Sequence, residues 1–165
     1  MKSKSGIYLA LAGRITQILA DIDRIAQRAE LLMSKAHSSG DEGYLDGVAL
    51  NLHSFYTAIE SLFEDIARTV DGALPEGANW HQELLLQMSA ELKGSRPAVI
   101  RRSTRNCLDD YRAFRHLVRN VYSFNLRPKR LSDLVDALRS CFSDVRHDLE
   151  EFSRFLLALD ESLSE

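Results

Sequence analysis

Apolar residues recur at alternating steps of four and three along three stretches of the chain, the spacing that lays a stripe down one side of an α-helix. The first stripe runs Leu11, Ile15, Ile18, Ile22, Ile25, Ala29, Leu32 and Ala36, and it breaks at Ser38-Ser39-Gly40. The second reads Leu45, Val48, Leu52, Phe55, Ile59, Leu62 and Ile66. It ends near Asp71-Gly72, where Pro75 and Gly77 prevent continuation. The third follows Pro128 and reads Leu131, Val135, Leu138, Phe142, Val145, Leu149, Phe152, Leu156 and Leu159. Stripes this long belong to helices lying side by side. Between the second and third stripes lie a shorter amphipathic stretch over about 80–92, a Gly-Ser-Arg-Pro break at 94–97 and a fourth strong segment at 103–124. The pattern predicts an all-α, up-and-down bundle of about five helices, one domain over 1–165 with frayed ends at 1–5 and 161–165.

Composition narrows the classes. Eight glycines and three prolines in 165 residues supply too few turns for a many-stranded sheet, and 45% apolar residues suffice for a core without metal or disulfide staples. Two scattered cysteines, Cys107 and Cys141, form neither a disulfide framework nor a zinc knuckle; the expectation is a reducing compartment and two buried, unlinked thiols. No apolar run approaches the roughly 20 residues that span a bilayer, and the apolar start of the chain stops at Arg14, so a cytoplasmic protein off the membrane is expected.

Charge changes the picture more. Residues 93–130 hold eleven Lys and Arg against Asp109 and Asp110, or +9, in a chain of net charge −3; the remainder therefore carries −12. Such a segment attracts polyanions, phosphate above all. On a helix with Arg115 at zero, Tyr111, Tyr122, Arg119, Arg112, Arg105 and His116 fall between about −40° and +100°, with Asn120 near 140°. Phe114, Leu117, Val118, Val121 and Phe124 take the opposite arc. A basic face carrying tyrosines suits a phosphodiester and a stacked base.

The stretch RHLVRNVYSFNL at 115–126 resembles the signature region of the HEPN superfamily, specifically HepT-like toxins of toxin–antitoxin pairs. LHSFYTAIESLFEDIAR at 52–68 and WHQELLLQM at 80–88 extend the likeness to roughly residues 7–160. The resemblance implies a homodimeric helical bundle whose signature helices meet in a cleft and cut RNA without a metal or cofactor. Carried onto this chain, the motif arginine is Arg115, its polar neighbour His116, and the tyrosine Tyr122; the position usually held by histidine is Asn120. Metal-free cleavage needs a base for the 2′-hydroxyl and a cation for the phosphoryl oxygens. Asparagine relays no proton, so Arg115, His116 and Asn120 stand as the catalytic set with His116 as base. Arg112, Arg119, Arg105 and Tyr111 are the RNA-binding set, and tRNA is a candidate substrate. The resemblance further implies a nucleotidyltransferase antitoxin of the MNT type that silences the toxin by adding AMP to Tyr122. A catalytically degenerate member that binds RNA, a nucleotide or a partner subunit is the alternative, and a purely structural helical dimer a third.

Other candidates read as structural. Trp80 and His81 open the short helix at a place suited to lining a cleft, with a packing anchor the preferred reading of the tryptophan; His53 and His147 sit beside apolar stripes; His37 is a favourable charge at a helix end. Glu60, Glu64 and Asp65 read as the solvated edge of the second stripe, and no spacing suggests a metal site.

Overall fold

A computed structural model describes residues 6–118 and 125–164 of the chain. The stripes become α1 (Ile7–Ser39), α2 (Gly43–Ile66) and α5 (Pro128–Ser162), with the shorter α3 (Trp80–Met88) and α4 (Arg102–Val118) between them. No strand occurs among the described residues. The five-helix, all-α expectation therefore holds. α5 outlasts its stripe and keeps Glu161 and Ser162, expected to fray, in the helix.

Helix α1 ends where Gly40 takes a left-handed φ of 69° and returns its N–H to the carbonyl of Ala36. This turn folds α2 back along α1, and Gly47 lets the two approach closely: a Cβ there would come within 2.8 Å of a Leu32 methyl. α5 also runs antiparallel to α1. Asp160 near its end accepts from the Gly6 N–H at 2.8 Å, and Arg139 and Arg146 nearer its start reach Asp23. Leu11, Ile15, Ile22, Leu52, Phe55, Ile59, Leu138, Phe142 and Leu149 from these three helices are buried in one core.

Two polar ties fix the shorter elements. After α2 the chain makes a π-type turn, Ala67–Asp71, which directs Asp71 at Arg96. Their side chains are completely or almost completely buried and bonded at 2.5 and 2.8 Å, and Arg96 also donates to the carbonyls of Gln87, Ala90 and Pro97. At the other end of the segment, buried Asp148 of α5 accepts from the Arg101 N–H at 2.9 Å, its Nε at 2.6 Å and the Thr104 hydroxyl at 2.6 Å. A carboxylate thus meets the N-terminal dipole of α4.

The cysteines correct the sequence reading. Cys107 on α4 and Cys141 on α5 are joined in a disulfide, with Cα atoms 5.8 Å apart. Their separation of 34 residues hid this, because α4 lies against α5 between the Thr104–Asp148 and Tyr111–Leu134 contacts. The argument from free thiols to a reducing compartment lapses. Closing a loop of this length contributes about 3–4 kcal/mol in the chain-entropy picture. Thermal unfolding with and without reductant should show that loss, and the Cys107→Ser/Cys141→Ser variant should melt like the reduced protein.

Candidate active site

The inward face of α4 is set by Thr104, Leu108, Tyr111, Phe114 and Arg115, all buried. This rotates the helix from the expected orientation, in which Arg115 and Tyr111 faced solvent while Leu117 faced inward. Leu117 is half exposed. Tyr111 is in the core, edge-on to Phe55 with centroids 5.1 Å apart, and its hydroxyl donates to the carbonyl of Leu134 at 2.7 Å. It is not part of a solvent-facing RNA surface. Each buried polar group on this face has a partner on another helix, which is why the polar stripe turns inward.

Arg115 is buried because α2 supplies its counter-charge. Its Nη2 donates to both oxygens of Glu60, at 2.8 and 2.9 Å, and its Nη1 to the Thr57 hydroxyl at 3.3 Å. The guanidinium lies 4.8 Å from the centroid of the Tyr56 ring. Tyr56, Thr57 and Glu60 share one side of α2 through their i, i+1, i+4 spacing. Glu60 is therefore buried, 4% exposed, not the solvated edge that its neighbours suggested. Its Oε2 also lies 2.8 Å from Nδ1 of His81, the second residue of α3, and Arg115 Nη2 is 3.0 Å from the same nitrogen. The Trp80 ring packs on the His81 ring at 3.7 Å between centroids, tilted by 31°.

Above this pair, His81, Arg112, Arg115 and His116 line a small pocket of about 30 Å³, room for a water molecule or one phosphoryl oxygen. Arg112 is partly buried and its Nε donates to Asp109 at 2.6 Å, while His116 is exposed. Arg105 stands farther along the α3–α4 seam, bonded to the Ser89 hydroxyl at 3.1 Å, beside an open groove lined by Gln82, Leu85, Leu86 and Asn106. Of the expected set, the structure thus brings Arg112, Arg115 and His116 together, leaves Arg105 at a distance and removes Tyr111. Arg119, Asn120 and Tyr122 lie outside the described residues.

The basic segment is less free than its count of +9 suggested. Arg96, Arg101, Arg112, Arg115 and Lys129 are paired with Asp71, Asp148, Asp109, Glu60 and Asp133. Four of these acids, all but Asp109, lie outside residues 93–130, where a local charge count cannot see them.

The family model described as HepT-like protein matches residues 47–156, about two thirds of the chain. The chain belongs to the HepT-like proteins. The match spans all of α3 and α4, most of α2 and most of α5, and so includes every residue of the pocket in this HepT-like protein. No curated protein and no solved structure matches it.

Sequence reasoning set aside two members of the site, Glu60 and His81. The signal for Glu60 was present: it stands one turn after Tyr56 and three residues before Phe63, inside the buried arc of α2. An acid there needs a cationic partner. His81 carried no periodic signal, since only the packing of α3 on α2 brings it to Glu60.

Burial and the nearby Glu60 carboxylate push the Tyr56 hydroxyl well above the usual phenol range, against a smaller opposing effect of Arg115; burial does the same to Tyr111. A phenol held neutral in the fold contributes stability that is fully present below its unfolded value of about 10 and is lost as pH rises toward the folded value. Melting temperature should be flat to about pH 9 and fall above about pH 10, less steeply in Tyr111→Phe.

Proposed function

We propose that this HepT-like protein is a metal-independent ribonuclease, the toxin of a toxin–antitoxin pair, acting as a homodimer on RNA with tRNA as a candidate substrate. The supporting observation is the pocket of His81, Arg112, Arg115 and His116 on a buried ion pair. It combines imidazole and guanidinium, the two groups that metal-free transesterification of a phosphodiester requires. Arg115 is rigidly held and neutralised by Glu60, so its part is to fix the floor of the pocket. Arg112 and His116, at the rim, meet the phosphate. Asn120 orients the substrate, and Arg119 and Arg105 extend the backbone contact. The MNT-type nucleotidyltransferase antitoxin acts through AMP on Tyr122: a bulky anion two residues after Asn120 would occupy and neutralise the phosphate site. The protein works in the cytoplasm, where its RNA is.

Burial of Arg115 against Glu60, together with asparagine at 120, favours a second reading in which the same pocket binds RNA without cutting it. Labelled single-stranded RNA incubated with the protein in EDTA separates the two. Cleavage of RNA, with DNA of the same sequence left intact, is the expected result. RNA that stays intact but binds with a salt-dependent affinity supports the binding module. RNA that neither binds nor breaks removes both.

A further inference from the structure

We propose that His81, rather than His116 of the signature helix, is the base that takes the 2′-hydroxyl proton in this protein, filling the role that asparagine at 120 cannot. This rests on the ribonuclease reading above and assigns its central proton transfer to a residue on a different helix.

The assignment follows from what surrounds the ring. Nδ1 has two close neighbours, Glu60 Oε2 at 2.8 Å and Arg115 Nη2 at 3.0 Å. A carboxylate only accepts and a guanidinium only donates, so a single proton state of Nδ1 cannot bond to both. Both Glu60 oxygens already receive Arg115 Nη2, at 2.8 and 2.9 Å, which leaves that nitrogen no need of a further acceptor. An unprotonated Nδ1 would instead set its lone pair against a carboxylate oxygen at 2.8 Å. The proton therefore sits on Nδ1 and is donated to Glu60, so that in the neutral form of the ring the lone pair is on Nε2. This is the arrangement by which a carboxylate fixes the tautomer of a histidine base. Three constraints hold the ring: Glu60 at Nδ1, the Trp80 face at 3.7 Å and the first turn of α3. The side chain nevertheless keeps 26% of its surface exposed and lines the pocket with Arg112 and His116. A histidine serving only to satisfy Glu60 has no need of that opening.

In the step itself, Nε2 of His81 accepts the 2′-hydroxyl proton as the 2′-oxygen forms a bond to phosphorus. The bond from phosphorus to the 5′-oxygen breaks, and that oxygen leaves with a proton from solvent. The products are a 2′,3′-cyclic phosphate and a 5′-hydroxyl, and His81 returns its proton to water. Arg112 meets the charge on the phosphoryl oxygens, while Glu60 and Arg115, which touch no reacting atom, position the base.

Two variants and one small molecule test this. His81→Asn keeps an amide N–H for Glu60 but has no basic nitrogen, and His81→Gly opens a space that free imidazole can enter. With labelled single-stranded RNA in EDTA, His81→Asn should melt near the wild type, bind a 2′-deoxy analogue of the RNA equally well and cleave RNA about 10²–10⁴-fold more slowly. Added imidazole should raise the rate of His81→Gly in proportion to its concentration and leave His81→Asn unchanged. Cleavage by His81→Asn within a few-fold of wild type overturns the assignment while leaving the ribonuclease reading intact. Loss of activity in both variants without imidazole rescue makes His81 a structural prop and overturns it too. A wild type that leaves RNA uncut removes the ribonuclease reading and this assignment together.

Discussion

Replacing Glu60 by alanine should destabilise the protein by about 3–5 kcal/mol, because it leaves the Arg115 guanidinium buried with no counter-charge. For a chain of this size that is a fall of about 6–20 °C in melting temperature. Arg115 donates twice to Glu60, and its other close neighbours, the Thr57 hydroxyl, the Tyr56 ring and His81 Nδ1, supply no negative charge to replace the carboxylate. Glu60→Gln retains an acceptor but removes the charge, so its cost should be smaller. The sharper comparison is the double variant Glu60→Ala/Arg115→Met. Removing both charges eliminates the uncompensated one, and the double variant should be more stable than Glu60→Ala alone. Denaturant unfolding of the four proteins measures this. A cost below about 1 kcal/mol for Glu60→Ala would mean that water reaches Arg115 freely, as it does in exposed ion pairs.

Arg112→Ala should slow RNA cleavage about 10²–10³-fold, the usual loss when one preorganised donor to a developing oxyanion is removed. The fold should scarcely register the change. Arg112 is partly buried, but its partner Asp109 is exposed and stands three residues before it on the same helix, so the pair contributes about 1 kcal/mol or less. Removing a guanidinium that acts on the transition state lowers kcat, whereas removing one that merely attracts the RNA backbone raises KM and reduces the salt dependence of binding. Single-turnover rates at saturating enzyme distinguish the two. The account requires the loss in kcat.

The helices were legible in the sequence because their stabilising surface is a long apolar stripe, and a stripe has a period. Leu11 to Ala36, Leu45 to Ile66 and Leu131 to Leu159 each lie within a helix of the structure. The family likeness was legible for the same reason at a higher level, since 115–126 and 80–88 both fall within helices or segments that the matched region covers. What periodicity misread was the face of α4. Phe114 does face inward, but taking Leu117 with it assumed that apolar side chains alone face the core, whereas Thr104, Tyr111 and Arg115 go inward because Asp148, the Leu134 carbonyl and Glu60 wait for them on other helices. Polar burial is decided by partners at sequence distances of 44, 23 and 55 residues, which no window along the chain contains. The disulfide and His81 escaped for the same reason: each depends on which helix comes to lie beside which.

The central claim is that RNA seats its phosphate over the pocket floored by Arg115 and Glu60. Its most direct test is nuclear magnetic resonance of the ring nitrogens of histidine and the guanidinium groups of arginine during titration with a 2′-deoxy RNA analogue, which binds without being cut. The account predicts that His81, His116 and Arg112 signals move together along one saturating curve, and that the buried Arg115 signal follows with a smaller change. Saturable binding that leaves these signals in place and moves Arg127 and Arg130 instead would contradict it.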